Sequence, residues 1–340
     1  MTDVLITGAA GFVGSHVVEG ILKETDWNIV VLDSLNYAAS LNRLSEIYDC
    51  KRVKFVYHDL RSPINELVAS KIGHIDYVLH LAAESHVQNS LEDAIPFATS
   101  NVVGTVNLLE WLKTRKVKKI CLFSTDEVFG PAPEGVFYKE QDVLSPSNPY
   151  SASKMGQEAF ARAFAVSFGM PIFITRSMNI YGEKQHPEKF IPMTIKAIIE
   201  GKKICLHGTN KKNSSRRCWI HARNVAHALI HLLGKGEVMG KVHQQDRGWG
   251  IYHIVGEEHS AYELANMAHK VIRGTPIKDK GINYINYHKT RPGHDFRYAL
   301  SGNKLKRSGF KYGVGFEDSF VKTVEWTVEH PEWLGISSLK

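Results

Sequence analysis

The sequence predicts an α/β protein: a doubly wound parallel sheet carrying a smaller C-terminal lobe. Three observations lead there. Short, almost wholly apolar runs alternate with helical patterns through the first half of the chain, a glycine-rich turn joins the first run to the first helix, and the alternation fades after Arg176. Strands that are apolar on both faces need cover on both sides, and parallel neighbours need helical crossovers to join them.

The runs 4–6, 28–32, 53–57, 77–81, 120–124 and 172–175 read as strands. Apolar residues at helical spacing over 12–23, 64–71, 97–115 and 150–168 supply the crossovers. Beyond Arg176, helical stretches at 190–200, 222–233 and 262–272 are joined by loops carrying Gly, Pro, Arg and His. The expected division is a Rossmann-type dinucleotide-binding domain over 1–176 and a substrate-binding lobe over 177–340. The two interleave, with the last sheet elements contributed from 177–260. The glycine-rich stretch 234–250 has neither period and is expected to form a surface excursion.

Composition narrows the function. The chain of 340 residues is 43% hydrophobic and 23% charged, ordinary for a globular α/β core. Lys plus Arg exceeds Asp plus Glu by 42 to 35, a moderate excess that suits an anionic small substrate. The basic residues are scattered without interleaved aromatics, which argues against nucleic acid as partner. No apolar stretch approaches the ~18 residues of a membrane span, and Met1-Thr2-Asp3 leads into the first strand without a signal-peptide pattern. Cys50, Cys121, Cys205 and Cys218 are widely spaced, so reduced thiols in a cytoplasmic protein are expected, and no metal site.

Thr7-Gly8-Ala9-Ala10-Gly11-Phe12-Val13-Gly14 follows the first strand and opens the first helix. Glycine lets backbone approach a pyrophosphate closely, and the helix start offers free N–H groups and a positive dipole end. Asp33 ends the second strand, where a carboxylate accepts ribose hydroxyls and repels a 2′-phosphate, which favours NAD over NADP. Asp59-Leu60 and Leu81-Ala82-Ala83, at the ends of the third and fourth strands, fit either a dinucleotide face or ordinary strand-end structure.

Tyr150 and Lys154 stand at i and i+4 of a helix starting near Pro149 and so share one face. A phenol with pKa ~10 becomes a usable base only where cations favour phenolate, and Lys154 together with a nicotinamide would do so. By itself the pair reads more readily as a buried Tyr and a solvated Lys, and the dinucleotide turn ahead of it reverses that. Thr125-Asp126-Glu127 closes the fifth strand. Two adjacent carboxyls are what water elimination needs, one as acid and one as base, although four residues alone also read as a solvated acidic turn.

The segments 8–14, His80-Leu81-Ala82-Ala83-Glu84-Ser85-His86-Val87, 124–128, 150–154, Pro187-Glu188-Lys189-Phe190-Ile191-Pro192 and Arg291-Pro292-Gly293-His294-Asp295 resemble the dTDP-glucose 4,6-dehydratase family, in order and over almost the whole chain. The Thr-Asp-Glu triplet is the most specific piece. Sugar-nucleotide 4-epimerases and decarboxylases of the same superfamily are the alternative reading, and the epimerases lack that triplet.

The resemblance implies bound NAD and a sugar-nucleotide substrate, dTDP-glucose or UDP-glucose. The hexose is oxidised at C4, loses water across C5 and C6, and is reduced at C6. Tyr150 takes the C4 hydroxyl proton with Thr125 beside that oxygen, Glu127 removes the C5 proton, and Asp126 protonates the leaving hydroxyl. It further implies cofactor contacts from Ser85 and Ser100. Substrate contacts fall to Ser85, His86, Asn179, Lys189, Phe190, Leu206, His207, Arg217, Arg291, His294 and Tyr298, with Arg217 on phosphate. A homodimer packed through helices 97–115 and 150–168 is implied as well. Three departures stand out: Arg216-Arg217-Cys218-Trp219 replaces a Val-Arg-Asp-Trp-like run, Ile180 replaces an asparagine, and 234–250 is long.

Overall fold

The computed structural model describes residues 2–47, 49–239, 249–285 and 297–336. The first half runs β1 (Asp3–Thr7), α1 (Phe12–Glu24), β2 (Asn28–Asp33), β3 (Val53–Tyr57), α2 (Glu66–Ile72), β4 (Tyr77–His80), α3 (Val87–Glu92), α4 (Ile95–Phe97), α5 (Gly104–Leu112), β5 (Lys119–Thr125), α6 (Pro149–Phe168) and β6 (Ile172–Ser177). The second runs β7 (Asn179–Tyr181), α7 (Phe190–Ile199), β8 (Ile204–Asn210), β9 (Asn213–Ser214), β10 (Arg216–His221), α8 (Ala222–Lys235), β11 (Ile251–Ile254), β12 (Glu257–Ser260), α9 (Ala261–Arg273), β13 (Ile282–Ile285), α10 (Asn303–Arg307) and α11 (Phe316–Glu329).

Seven parallel strands form the main sheet in the order β11-β6-β5-β4-β1-β2-β3. Strand order reverses between β1 and β4, and such a switch point opens a crevice at the carboxyl ends. The outermost strand β11 comes from beyond residue 177, so the second half of the chain completes the sheet. Two clusters cover its faces: Val17, Ile21 and Leu229 belong to one, Leu108, Leu112 and Ala165 to the other. Each fully buried aliphatic side chain there contributes roughly 1.5–3 kcal/mol. A third cluster, with Ile195, Leu206, Leu264 and Phe320, holds the smaller lobe around the sheets β12-β10-β7 and β13-β8-β9.

Two expectations change. The helix over 97–115 is α4, a π-helical turn at Ala98–Val103, and α5. The wider turn carries Asn101, which accepts from Glu84 N (2.8 Å) and donates to Glu84 O (3.0 Å) and Ser153 Oγ (2.8 Å), so it binds the cleft wall to α6. Helix α8 also continues to Lys235, into the stretch expected as an excursion, because Leu232 and Leu233 remain buried there. Residues 240–248 of that stretch lie outside the described residues.

Candidate active site

A cleft of about 870 Å³ lies along the carboxyl ends of the sheet and continues into the smaller lobe. At one end, Gly8 has φ +73°, and a Cβ on it would stand 2.7 Å from Ala82 Cα. A Cβ on Gly14 would stand 2.3 Å from Gly8 O. Only glycine satisfies both positions, and the result is bare backbone at the start of α1. That helix has no side-chain cap and no acidic residue in its first turn, so its N–H groups face the cleft as anion donors. Asp33 accepts from Ala10 N (2.9 Å) and Leu35 N (2.8 Å), which aims its carboxylate beside the turn. Burial raises its pKa, and the N–H bonds of Leu35 and Ala10 and the charge of Arg43 oppose the rise. The cradle fits a dinucleotide with free ribose hydroxyls.

The catalytic end is built on β5 and α6. Asn148 caps α6 by accepting from Ser151 N (2.9 Å), and Pro149 occupies the first turn, where its missing N–H costs nothing. Tyr150 and Lys154 then project from successive turns into the cleft. Burial and the Glu127 carboxylate raise the Tyr150 pKa, with Asp126 adding to the effect and the Thr125 hydroxyl opposing it. Lys154 is directed to Phe123 O (2.7 Å) and to Gln157 Oε1. Burial lowers its pKa to about 7, against the pull of Glu158. The lysine is therefore buried, not solvated, and most of its donor capacity is spent on neighbours other than the phenol.

Thr125 caps the turn Asp126–Phe129 by accepting from Glu127 N (3.3 Å). The turn swings the two carboxyls into different surroundings. Asp126 is 3% exposed, with Oδ1 on Thr125 Oγ1 (3.1 Å) and Oδ2 buried without a hydrogen bond. Burial, with the Glu127 charge behind it, raises its pKa to about 7 despite Arg217 and Thr125. Glu127 is half-buried and accepts from Asn148 Nδ2 (3.1 Å). One carboxyl is thus buried and driven toward its protonated form while its neighbour is half-buried and accepts from an amide, the difference in surroundings that acid–base elimination uses. The acidic turn is not solvated.

Below this pair lies a buried strut. Glu158 takes Ser124 Oγ (2.5 Å) and Arg176 (2.7 Å), and the Arg176 guanidinium lies 4.7 Å over the Phe129 ring. Asn148, Gln157, Glu158 and Arg176 were missed in the sequence. The Asn148-Pro149 dipeptide is a helix-start signal that could have found the first; the others meet only through the fold.

The cleft gathers nearly every expected residue: Gly8, Gly11, Phe12, Val13, Gly14, Asp33, Asp59, Leu60, Leu81, Ala82, Ala83, Ser85 and Ser100 toward the cofactor turn, and His86, Asn179, Lys189, Phe190, His207, Arg217 and Tyr298 beyond the catalytic set. The Asp59 carboxylate is taken by Arg61 (2.6 Å). Leu206 is the exception. It does not line the cleft; it is fully buried in the smaller lobe's core, while its neighbours Cys205 and His207 face the cavity. Arg291 and His294 lie outside the described residues. Arg217 is buried with its guanidinium 4.7 Å over the Tyr298 ring, and Arg216 turns away to Glu258 (3.5 Å). Cys218, standing where an acid was expected, packs with Val128, Phe129 and Met178, so it adds no negative charge beside Arg217.

The family model described as GDP-mannose 4,6 dehydratase matches residues 5–323. A dTDP-D-glucose 4,6-dehydratase of Mus musculus is 35% identical over 95% of this chain and 88% of its own length. The solved dTDP-glucose 4,6-dehydratase of Streptomyces venezuelae, with NAD and TYD bound, superposes with a TM-score of 0.87 at 33% identity over 98% of both chains. The chain belongs to the dTDP-glucose 4,6-dehydratase family. A trifunctional UDP-glucose 4,6-dehydratase/3,5-epimerase/reductase of Arabidopsis thaliana is 37% identical over 98% of this chain, which spans about half (48%) of that relative. Within the family frame, the cleft's glycine turn, Thr125–Asp126–Glu127 and Tyr150–Lys154 fall at one continuous site. Among the described residues, one cluster with metal-ligand spacing (Asp3, His74, Asp76) lies away from it, and Lys118 already occupies Asp76 at 3.0 Å. No described helix is long and apolar enough to cross a membrane.

Proposed function

We propose that this chain is an NAD-dependent hydro-lyase that converts a nucleoside diphosphate hexose to its 4-keto-6-deoxy derivative, with dTDP-glucose and UDP-glucose as the candidate substrates. The observation that carries the reading is Asp126, a buried carboxyl raised to about 7 beside the half-buried Glu127, which accepts from Asn148 Nδ2. Simple oxidation or epimerisation at C4 needs no such pair.

Bound NAD would supply a reversible two-electron oxidant and a positive charge; the glycine turn and Asp33 are the residues that would hold it. The protein's own groups do the rest. Tyr150 accepts the C4 hydroxyl proton, its phenolate supported by Lys154, while Thr125 fixes that oxygen. A C4 ketone makes the C5 proton acidic, and Glu127 removes it. Asp126 gives its proton to the C6 hydroxyl as the C–O bond breaks, so water leaves without a free hydroxide. The order follows from the chemistry, since without the ketone the C5 carbanion has no electron sink. Arg217 and Lys189 bear the cationic charge that suits a diphosphate.

A homodimer is supported by apolar side chains left exposed on α6 and the π-turn, including Phe160 at 42% and Val103 at 46%. Four free cysteines fit a cytoplasmic setting. Incubation with each sugar nucleotide in D₂O tests the reaction: dehydration predicts loss of one water, deuterium at C5 and a C6 hydrogen that came from C4. A product of unchanged mass would instead favour the 4-epimerase reading.

A further inference from the structure

Behind the catalytic lysine runs a closed polar network that the reaction steps above do not use. Gln157, one turn beyond the catalytic face of α6, is 0% exposed. Its Oε1 receives the Lys154 ammonium, and its Nε2 lies 2.7 Å from Thr105 Oγ1. The Thr105 hydroxyl donates to Asn101 O (2.6 Å), so it must accept the Gln157 amide. It likewise accepts from His80 Nε2 (2.8 Å), which puts the His80 proton on Nε2. The Nδ1 atom then accepts from the Thr7 hydroxyl (2.7 Å), and Thr7 Oγ1 accepts from Ala82 N (3.2 Å) at the glycine turn. The 3.1 Å approach of Gln157 Nε2 to His80 Nε2 is in this arrangement a contact between two donors. Flipping the amide would turn its NH2 toward the Lys154 ammonium and lose the acceptor there.

We infer that Gln157 is a positioning residue that holds Lys154 as an ammonium and aims its remaining N–H into the cofactor cleft. The inference rests on the dehydratase reading only for its consequence in turnover. Lys154 has three N–H donors. Phe123 O and Gln157 Oε1 take two, and the residue lines the cleft. An acceptor on a buried ammonium favours the charged form, and a neutral amide does so without the competing proton that a carboxylate would bring. The titratable groups around Lys154 are Tyr150 and Glu158 on its own helix and His80 on β4, with Asp126 and Glu127 after β5 acting on Tyr150. Burial and the Lys154 charge depress His80 to about 3, so the ring stays neutral and adds no second cation.

The test is Gln157→Met, which keeps the side chain's length and removes the acceptor. It reads NAD affinity against pH on the intact protein, then the pH profile of single-turnover nicotinamide reduction. Loss of the charged form should come about one pH unit lower in both. Gln157→Glu restores an acceptor and should move the same limb to higher pH. Melting temperature checks the fold of each variant; should Gln157→Met not fold, the direction of the Gln157→Glu shift decides alone. Unmoved limbs in a folded, NAD-binding variant overturn the inference. If the wild-type chain reduces nicotinamide with neither sugar nucleotide, the dehydratase reading falls, and the NAD titration still decides the role of Gln157.

Discussion

At the cofactor end of the cleft, recognition rests on main chain: the turn at Gly8, Gly11 and Gly14, the exposed start of α1, and Asp33 clamped by two backbone N–H groups. At the end proposed for the nucleotide, the lining is side chains drawn from distant segments, with Arg217 from β10 stacked on Tyr298 and Lys189 reaching Ser85 O (3.4 Å). The difference teaches where tolerance lies. A backbone cradle is ruined by one Cβ and indifferent to most side-chain changes; a side-chain cradle is the reverse. The catalytic groups sit between the two, on a strand end and a capped helix, where rigidity sets their geometry and burial sets their protons.

Five experiments sharpen that contrast. The largest effect is expected for Tyr150→Phe, which should cut kcat by roughly 10²–10⁴-fold with NAD still bound, because it removes the base and leaves the backbone cradle intact. Loss of NAD instead would place Tyr150 in the cradle. Next, Asp126→Asn should slow water loss by about 10²-fold while nicotinamide still becomes reduced, so the two halves of the reaction separate. The proposed acid is protonated Asp126, so in the unaltered protein elimination should decline as pH rises through about 7. A rate of water loss flat from neutral to alkaline pH contradicts the assignment.

At the nucleotide end the effect should be smaller and of another kind. Arg217→Lys keeps charge but loses the planar fork over Tyr298, and KM should rise about tenfold, or ~1.4 kcal/mol, with kcat little changed. A fall in kcat with KM constant would show that Arg217 acts chiefly through Asp126. Smallest of all, Phe160→Asp on the outer face of α6 should shift the mass in solution from dimer to monomer without lowering the melting temperature of the chain. An unchanged mass would leave the exposed face without the partner proposed for it.

Much of this was legible in the linear chain. The first six sheet strands, the glycine turn, Asp33 and the Tyr150–Lys154 face follow from short apolar runs, the 3.6-residue helical period and glycine's freedom, all of which act within a few residues. The Thr125–Asp126–Glu127 triplet was legible as residues but not as chemistry. Only the packed structure places Asp126 in the dry interior and Glu127 on Asn148, and desolvation is a property of surroundings assembled from β5, β10 and α6. Leu206 shows the opposite failure: resemblance put it at the substrate, and the smaller lobe's core claimed its side chain.

What the sequence determined by itself is the local machinery: which segments are strands and helices, where backbone must come close to phosphate, and which side chains share a helix face. Tertiary structure decided protonation and company. It set which carboxyl is driven toward its protonated form, which groups hold Lys154, and that Glu158 meets Arg176, because these depend on burial and on contacts between residues far apart in the chain. Short-range sterics are written residue by residue, whereas the dielectric around a charge exists only once the chain has closed around it.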